Sequence, residues 1–193
     1  MELVAGEAMR VGDPNTAAAW NWRAAEGGSA SAAYNLYVQL RTGVGVKRDR
    51  SRAEEYLKQA SERGHALATW KLGQLQRSEA LVERAAELGL CRAQLSWAKH
   101  CFQMGRLEEA ANWYHKAAAQ HSMEAKFLLG VHYMRNELKP PADWVVQNPV
   151  QLAADMLMDA AVQGHADAKK LMKAFSPTDT GFNPHKQKGR RFK

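Results

Sequence analysis

A pair of small residues followed by a turn-forming residue recurs five times along this 193-residue chain. The copies are Ala24-Ala25 with Gly28, Ala60-Ser61 with Gly64, Ala85-Ala86 with Gly89, Ala117-Ala118 with His121, and Ala160-Ala161 with Gly164. Their first alanines are spaced 36, 25, 32 and 43 residues apart, which brackets the period at which helix-turn-helix units stack into solenoids. Such a repeat constrains the fold strongly, because each unit is one hairpin whose apolar face only its neighbours can cover.

A second pattern lies upstream of each pair. Four positions before the first alanine stands a large residue, Trp20, Tyr56, Leu81, Trp113 or Met156, and three positions before that Ala17, Ala53, Ser78, Ala110 or Ala153. These spacings put the set on one stripe of a helix, with small side chains where a neighbouring helix must come close. We term it helix B, with signatures near 13–27, 49–63, 77–88, 107–120 and 150–163. Asp13-Pro14 supplies an N-cap and a proline at the first helical position, Asp49 stands at the same offset in the next unit, and Pro149 can open the last helix B.

A second helix, helix A, follows each turn. It reads as an alanine, an aromatic or leucine two later, a large apolar residue four later, and often a small residue five later. The instances begin at Ala32, Ala68, Ala93 and Ala125, with Tyr34, Trp70, Leu95 and Phe127 at the aromatic position. A closing version at Ala168 places Lys170 there, the polar character a capping repeat needs. Residues 2–11 read as a first helix A. The connection from Arg135 through Pro140 and Pro141 to Pro149 is too rich in proline for a continuous helix.

The expected fold is therefore all-α, an α/α superhelical solenoid of about five helix-turn-helix repeats with a C-terminal capping helix. It spans residues 1–175 and is followed by a basic, disordered tail over 176–193. Composition agrees, since the chain has no isoleucine and is rich in alanine and leucine. No apolar run approaches the ~20 residues of a membrane span, and the start lacks the basic and apolar segments of a secretory signal, so a cytoplasmic protein is expected. Cys91 and Cys101, ten residues apart on one helix, would be about 15 Å apart, too far for an internal disulfide.

Gly43-Val44-Gly45-Val46, then Asp49, Ala53, Tyr56, Ala60 and Gly64-His65-Ala66, resemble one full unit of the Sel-one-like repeat family, a relative of tetratricopeptide repeats, and Gly164-His165-Ala166 repeats its turn. The second and third units lack the Gly-x-Gly-Val loop. The resemblance implies a helical superhelix that acts as an adaptor or scaffold for other proteins and carries no catalytic residues.

Sites for chemistry are sparse. Gly43-Val44-Gly45 has neither the preceding strand nor the third glycine of a nucleotide-binding loop. Cys91, His100 and Cys101 do not offer the four convergent donors of a zinc site, and no nucleophile elbow occurs. No catalytic residue, metal or cofactor is expected. In tetratricopeptide-like arrays helix A builds the concave wall, which makes Asn35, Gln39, Lys71, Gln74, Lys99, His100, His132 and Arg135 the candidate contacts for a protein or peptide partner. The alternative is a nucleic-acid or acidic-surface contact. It would use Arg48, Arg50 and Arg52 beside Arg41 and Lys47, with Lys186, Lys188, Arg190 and Arg191 of the tail, which together with Lys193 sets five basic residues against Asp179 within a net charge of +7.

Overall fold

The computed structural model describes residues 13–140 and 148–174. The expected helix over 2–11, the stretch 141–147 with Trp144, and the basic tail with Lys186, Lys188, Arg190 and Arg191 lie outside the described residues. Within them are ten helices and no strand: α1 (Pro14–Glu26), α2 (Ala30–Thr42), α3 (Arg50–Glu62), α4 (Ala66–Gln76), α5 (Glu79–Glu87), α6 (Cys91–Gln103), α7 (Leu107–Ala119), α8 (Met123–Met134), α9 (Pro149–Val162) and α10 (Ala166–Ala174). Odd-numbered helices are the five helix B segments and even-numbered ones the helix A segments. Among the described residues no helix is long and apolar enough to cross a membrane.

The recurring small pair is also the hydrogen-bonding part of each turn. The carbonyl of the second small residue accepts from the turn residue, and that of the first accepts from the residue after it. Thus Gly28 N–H donates to Ala25 O and Ser29 N–H to Ala24 O, and the same two bonds recur at Gly64-His65, Gly89-Leu90, His121-Ser122 and Gly164-His165. This is the Schellman closure, which requires a left-handed residue after the helix. All five turn positions are left-handed, with φ from 62° at His121 to 107° at Gly164.

The residue after the turn then starts helix A. Ser29 and Ser122 accept the backbone N–H of Ala32 and Ala125 through Oγ, while His65 and His165 accept that of Ala68 and Ala168 through Nδ1. Helix B is capped by Asp13 (with Thr16 Oγ1 donating to its carboxylate), Asp49 and Asn148, the last preceding Pro149 at the first helical position.

The chain forms two compact units, one ending at Trp97 and the other beginning at Ala98. In the first, α1 packs on α2, α2 on α3, α3 on α4 and α4 on α5. Its core joins Ala24, Ala25, Ala32, Ala33, Leu36, Leu40, Ala53, Leu57, Ala60 and Ala68. In the second, α7 packs on α8, α8 on α9 and α9 on α10, with Tyr114, Leu129 and Leu157 as fully buried large side chains. Pairing between chain neighbours is the signature of a repeat array. The small residue five places into helix A sets the approach: a Cβ on Gly130 would lie 2.6 Å from Leu157 Cγ and 3.0 Å from Ala153 O on α9.

Candidate functional site on helix A

Helical geometry sorts the expected contact residues into two groups. A residue seven places after the leading alanine has turned about 700°, so it points within about 20° of that alanine's own direction. The leading alanines are fully buried, and Gln39 and His132 follow them inward, with 1% and 8% exposure. His100, at the same offset, is half-buried. Gln39 and His132 are therefore interior residues and not open contacts, which corrects the expectation for both.

Each belongs to a packed cluster. Gln39 Oε1 accepts from Asn21 Nδ2 at 3.2 Å, and Asn21 Oδ1 accepts from Asn35 Nδ2 at 3.4 Å. His132 Nδ1 lies 2.7 Å from Glu137 Oε2, and its ring packs against Phe102 at 4.2 Å and Tyr114 at 5.6 Å between centroids. Beside them Tyr133 OH and His115 Nε2 are 2.5 Å apart. Burial drives the His115 imidazole down to about 4 and pushes the Tyr133 phenol up, so the neutral phenol donates and the neutral ring accepts.

The remaining candidates stand three, six or ten places after the leading alanine and turn toward solvent. In the first unit Asn35 and Lys71 are half-buried, and Gln74 is exposed together with Val38, which the sequence reading passed over. In the second unit Lys99 and Arg135 are exposed. Lys99 is already matched: its Nζ donates to Glu124 Oε1 at 3.0 Å. Glu124 Oε2 lies 3.0 Å from His165 Nε2, and hydrogen bonds from His165 and then Lys99 hold its carboxyl below the usual range. Because Nδ1 of His165 accepts the α10 cap, the ring's proton sits on Nε2 and is donated to Glu124. Arg135 Nη1 stands 3.9 Å from Glu137 Oε1.

The aromatic position of helix A joins one repeat to the next. Tyr34 stacks on His65 at 4.5 Å and 16°, and Phe127 on His165 at 4.3 Å and 20°. The guanidinium of Arg92 lies 5.2 Å over the Trp70 ring. His65 and His165 thus cap one helix while stacking on the previous helix A. Among the described residues no cluster of three or more His, Cys, Asp or Glu side chains is arranged to hold a metal.

These features define an α/α helical-repeat protein built from helix-turn-helix hairpins. No family model matches the sequence, and comparison with curated proteins finds no significant match. Solved structures do match. A Sel1 repeat protein from Oxalobacter formigenes superposes with a TM-score of 0.70 at 25% identity, covering 85% of this chain and 50% of that one. An antigen present in uropathogenic Escherichia coli strains and displaying an SLR fold gives 0.65 at 22% identity, covering 90% and 40%. An immunity protein from Pseudomonas aeruginosa gives 0.53 at 21%, covering 89% and 68%. The chain thus spans half or less of the length of the first two. Its fold is that of the Sel1-like repeat proteins.

Proposed function

We propose that this chain is a non-catalytic interaction scaffold that holds an extended polypeptide partner on the solvent-facing side chains of its helix A segments. The observation that carries this reading is the division of helix A by angle. The leading alanines and Gln39 are spent on packing, while offsets three, six and seven present Asn35, Val38, Lys71, Gln74 and Leu75 in the first unit, a mixture of amide, apolar and cationic groups in which Asn35 also donates inward to Asn21. Amides and a cation flanking an apolar side chain suit a peptide main chain and its acidic or apolar side chains. Lys71 contributes more than Lys99, whose charge Glu124 already neutralises.

The test is affinity purification with the full chain as bait, followed by recapture of the identified partner with the Lys71→Glu/Gln74→Glu variant. Capture should fall about tenfold, the loss of one charge-assisted contact, with helical circular dichroism unchanged. Undiminished capture by a folded variant would move the site off this face.

A further inference from the structure

The connection between α2 and α3 is basic and tied down at several points. Gly43 N–H donates to Gln39 O at 2.7 Å, Asp49 N–H to Leu40 O at 2.9 Å, and Arg52 N–H to Asp49 Oδ1 at 3.0 Å. Gly45, at φ 72°, packs so closely on Pro14 that no Cβ would fit there. Val46 is packed against the core of the first unit. Thus a loop of this composition, usually free to move, is held in one shape.

On this frame stand Lys47, Arg48 and Arg50, all exposed, with Val44 at 51% exposure beside them. Among the described residues none of the three cations lies within ion-pair distance of a carboxylate. The nearest carboxylate in sequence, Asp49, is occupied in capping α3. The two flanking cations are internally engaged: Arg41 Nη1 donates to Tyr37 OH at 3.1 Å, and Arg52 lies 5.2 Å over the Trp22 ring. Like charges crowded on a fixed loop repel one another, and an anionic partner relieves that repulsion without first having to order the loop.

We propose that this loop is a second interaction surface, independent of the helix A face, and that its occupant is an acidic polypeptide segment carrying apolar residues. Two observations favour polypeptide over nucleic acid. Val44 places an apolar contact among the cations, and the neighbouring aromatics are already covered. Trp22 is occupied by Arg52 on its face and by Tyr56 edge-on at 5.1 Å, and the hydroxyl of Tyr37 is bound by Arg41. Single-stranded nucleic acid is normally held by open aromatic faces as well as by charge.

The experiment is fluorescence anisotropy on the full chain with two labelled probes of matched net charge, a Glu-rich peptide with interspersed leucines and an oligo-dT. The peptide should bind more tightly than the oligonucleotide. Lys47→Gln/Arg48→Gln/Arg50→Gln should weaken the peptide about tenfold, as expected for losing three exposed charge contacts. Val44→Ser should weaken it without changing the salt slope. Lys71→Glu, which tests the helix A reading, should leave it unchanged. Tighter binding of oligo-dT, no peptide binding, or peptide binding that survives the triple substitution would each overturn the proposal.

Discussion

Replacing Gly130 by alanine tests the interlocking of α8 and α9. A methyl group here would sit 2.6 Å from Leu157 Cγ, 3.0 Å from Leu157 Cδ2 and 3.0 Å from Ala153 O, whereas carbon atoms in contact settle at about 3.5–4.0 Å. The obstruction is not a flexible tip. Leu157 is 1% exposed, and the Ala153 carbonyl is backbone within α9. Alanine improves helix propensity by about 1 kcal/mol, against about 1–3 kcal/mol for forcing an added carbon into a packed seam. We expect a net loss of about 1–2 kcal/mol, read as a lower urea midpoint with unchanged slope. Leu157→Ala alone should cost about 2–5 kcal/mol. In that background Gly130→Ala should become neutral or stabilising, because the new methyl enters the vacated space. A Gly130→Ala protein at least as stable as the parent, or losses that simply add in the double variant, would refute the seam as described.

Other outcomes follow from the turns and buried polar groups. His121 holds a left-handed turn that glycine fills in the other four copies, so His121→Gly should raise stability by about 0.5–1 kcal/mol, visible as a higher thermal midpoint. His115 has its folded pKa lowered to about 4, while an unfolded histidine titrates near 6.5. The unfolded chain therefore binds the extra proton between those values, and this contribution to stability is full above about pH 6.5 and lost progressively toward pH 4, at most about 3 kcal/mol. Denaturant midpoints across pH should lose that slope in His115→Gln. Asn21→Leu removes the partner of Gln39 and should cost about 1–3 kcal/mol. Adding Gln39→Leu should recover most of it, since Gln39 Nε2 is buried and makes no hydrogen bond among the described residues; a double variant no better than the single would contradict the paired role.

Much of the architecture was legible because its determinants are local. The small pairs, turn residues and caps lie within a few residues of one another, so Ala60-Ser61-x-x-Gly64-His65 carries its own hydrogen-bonding logic. His121 was legible by register alone, since it occupies a glycine position and adopts the glycine conformation. Two site residues were misplaced because an offset of seven returns a helix to nearly the same direction, so Gln39 and His132 follow Ala32 and Ala125 inward; Leu75, at the same offset but one residue from the end of α4, is 65% exposed, so the offset alone does not decide burial. Asn21 was hidden differently. It stands where the other repeats have Leu57, Val82, Tyr114 and Leu157, and only its pairing with residues 14 and 18 positions away makes the substitution intelligible. The contact of Glu124 with His165, 41 residues distant, had no local signal. It follows from stacking one repeat on the next.

The register of the small pairs is tested most directly by a leucine scan. Leucine is placed in turn at Ala24, Ala60, Ala85, Ala117 and Ala160, all 5% exposed or less, and at the exposed helical positions Ala19 and Ala119, and the denaturant midpoint is measured for each. The five seam positions should each lose about 1–3 kcal/mol, while the two surface positions stay within about 0.5 kcal/mol of the parent. Leucine tolerated equally at both sets would contradict the repeat register on which the helix A face and the basic loop are placed.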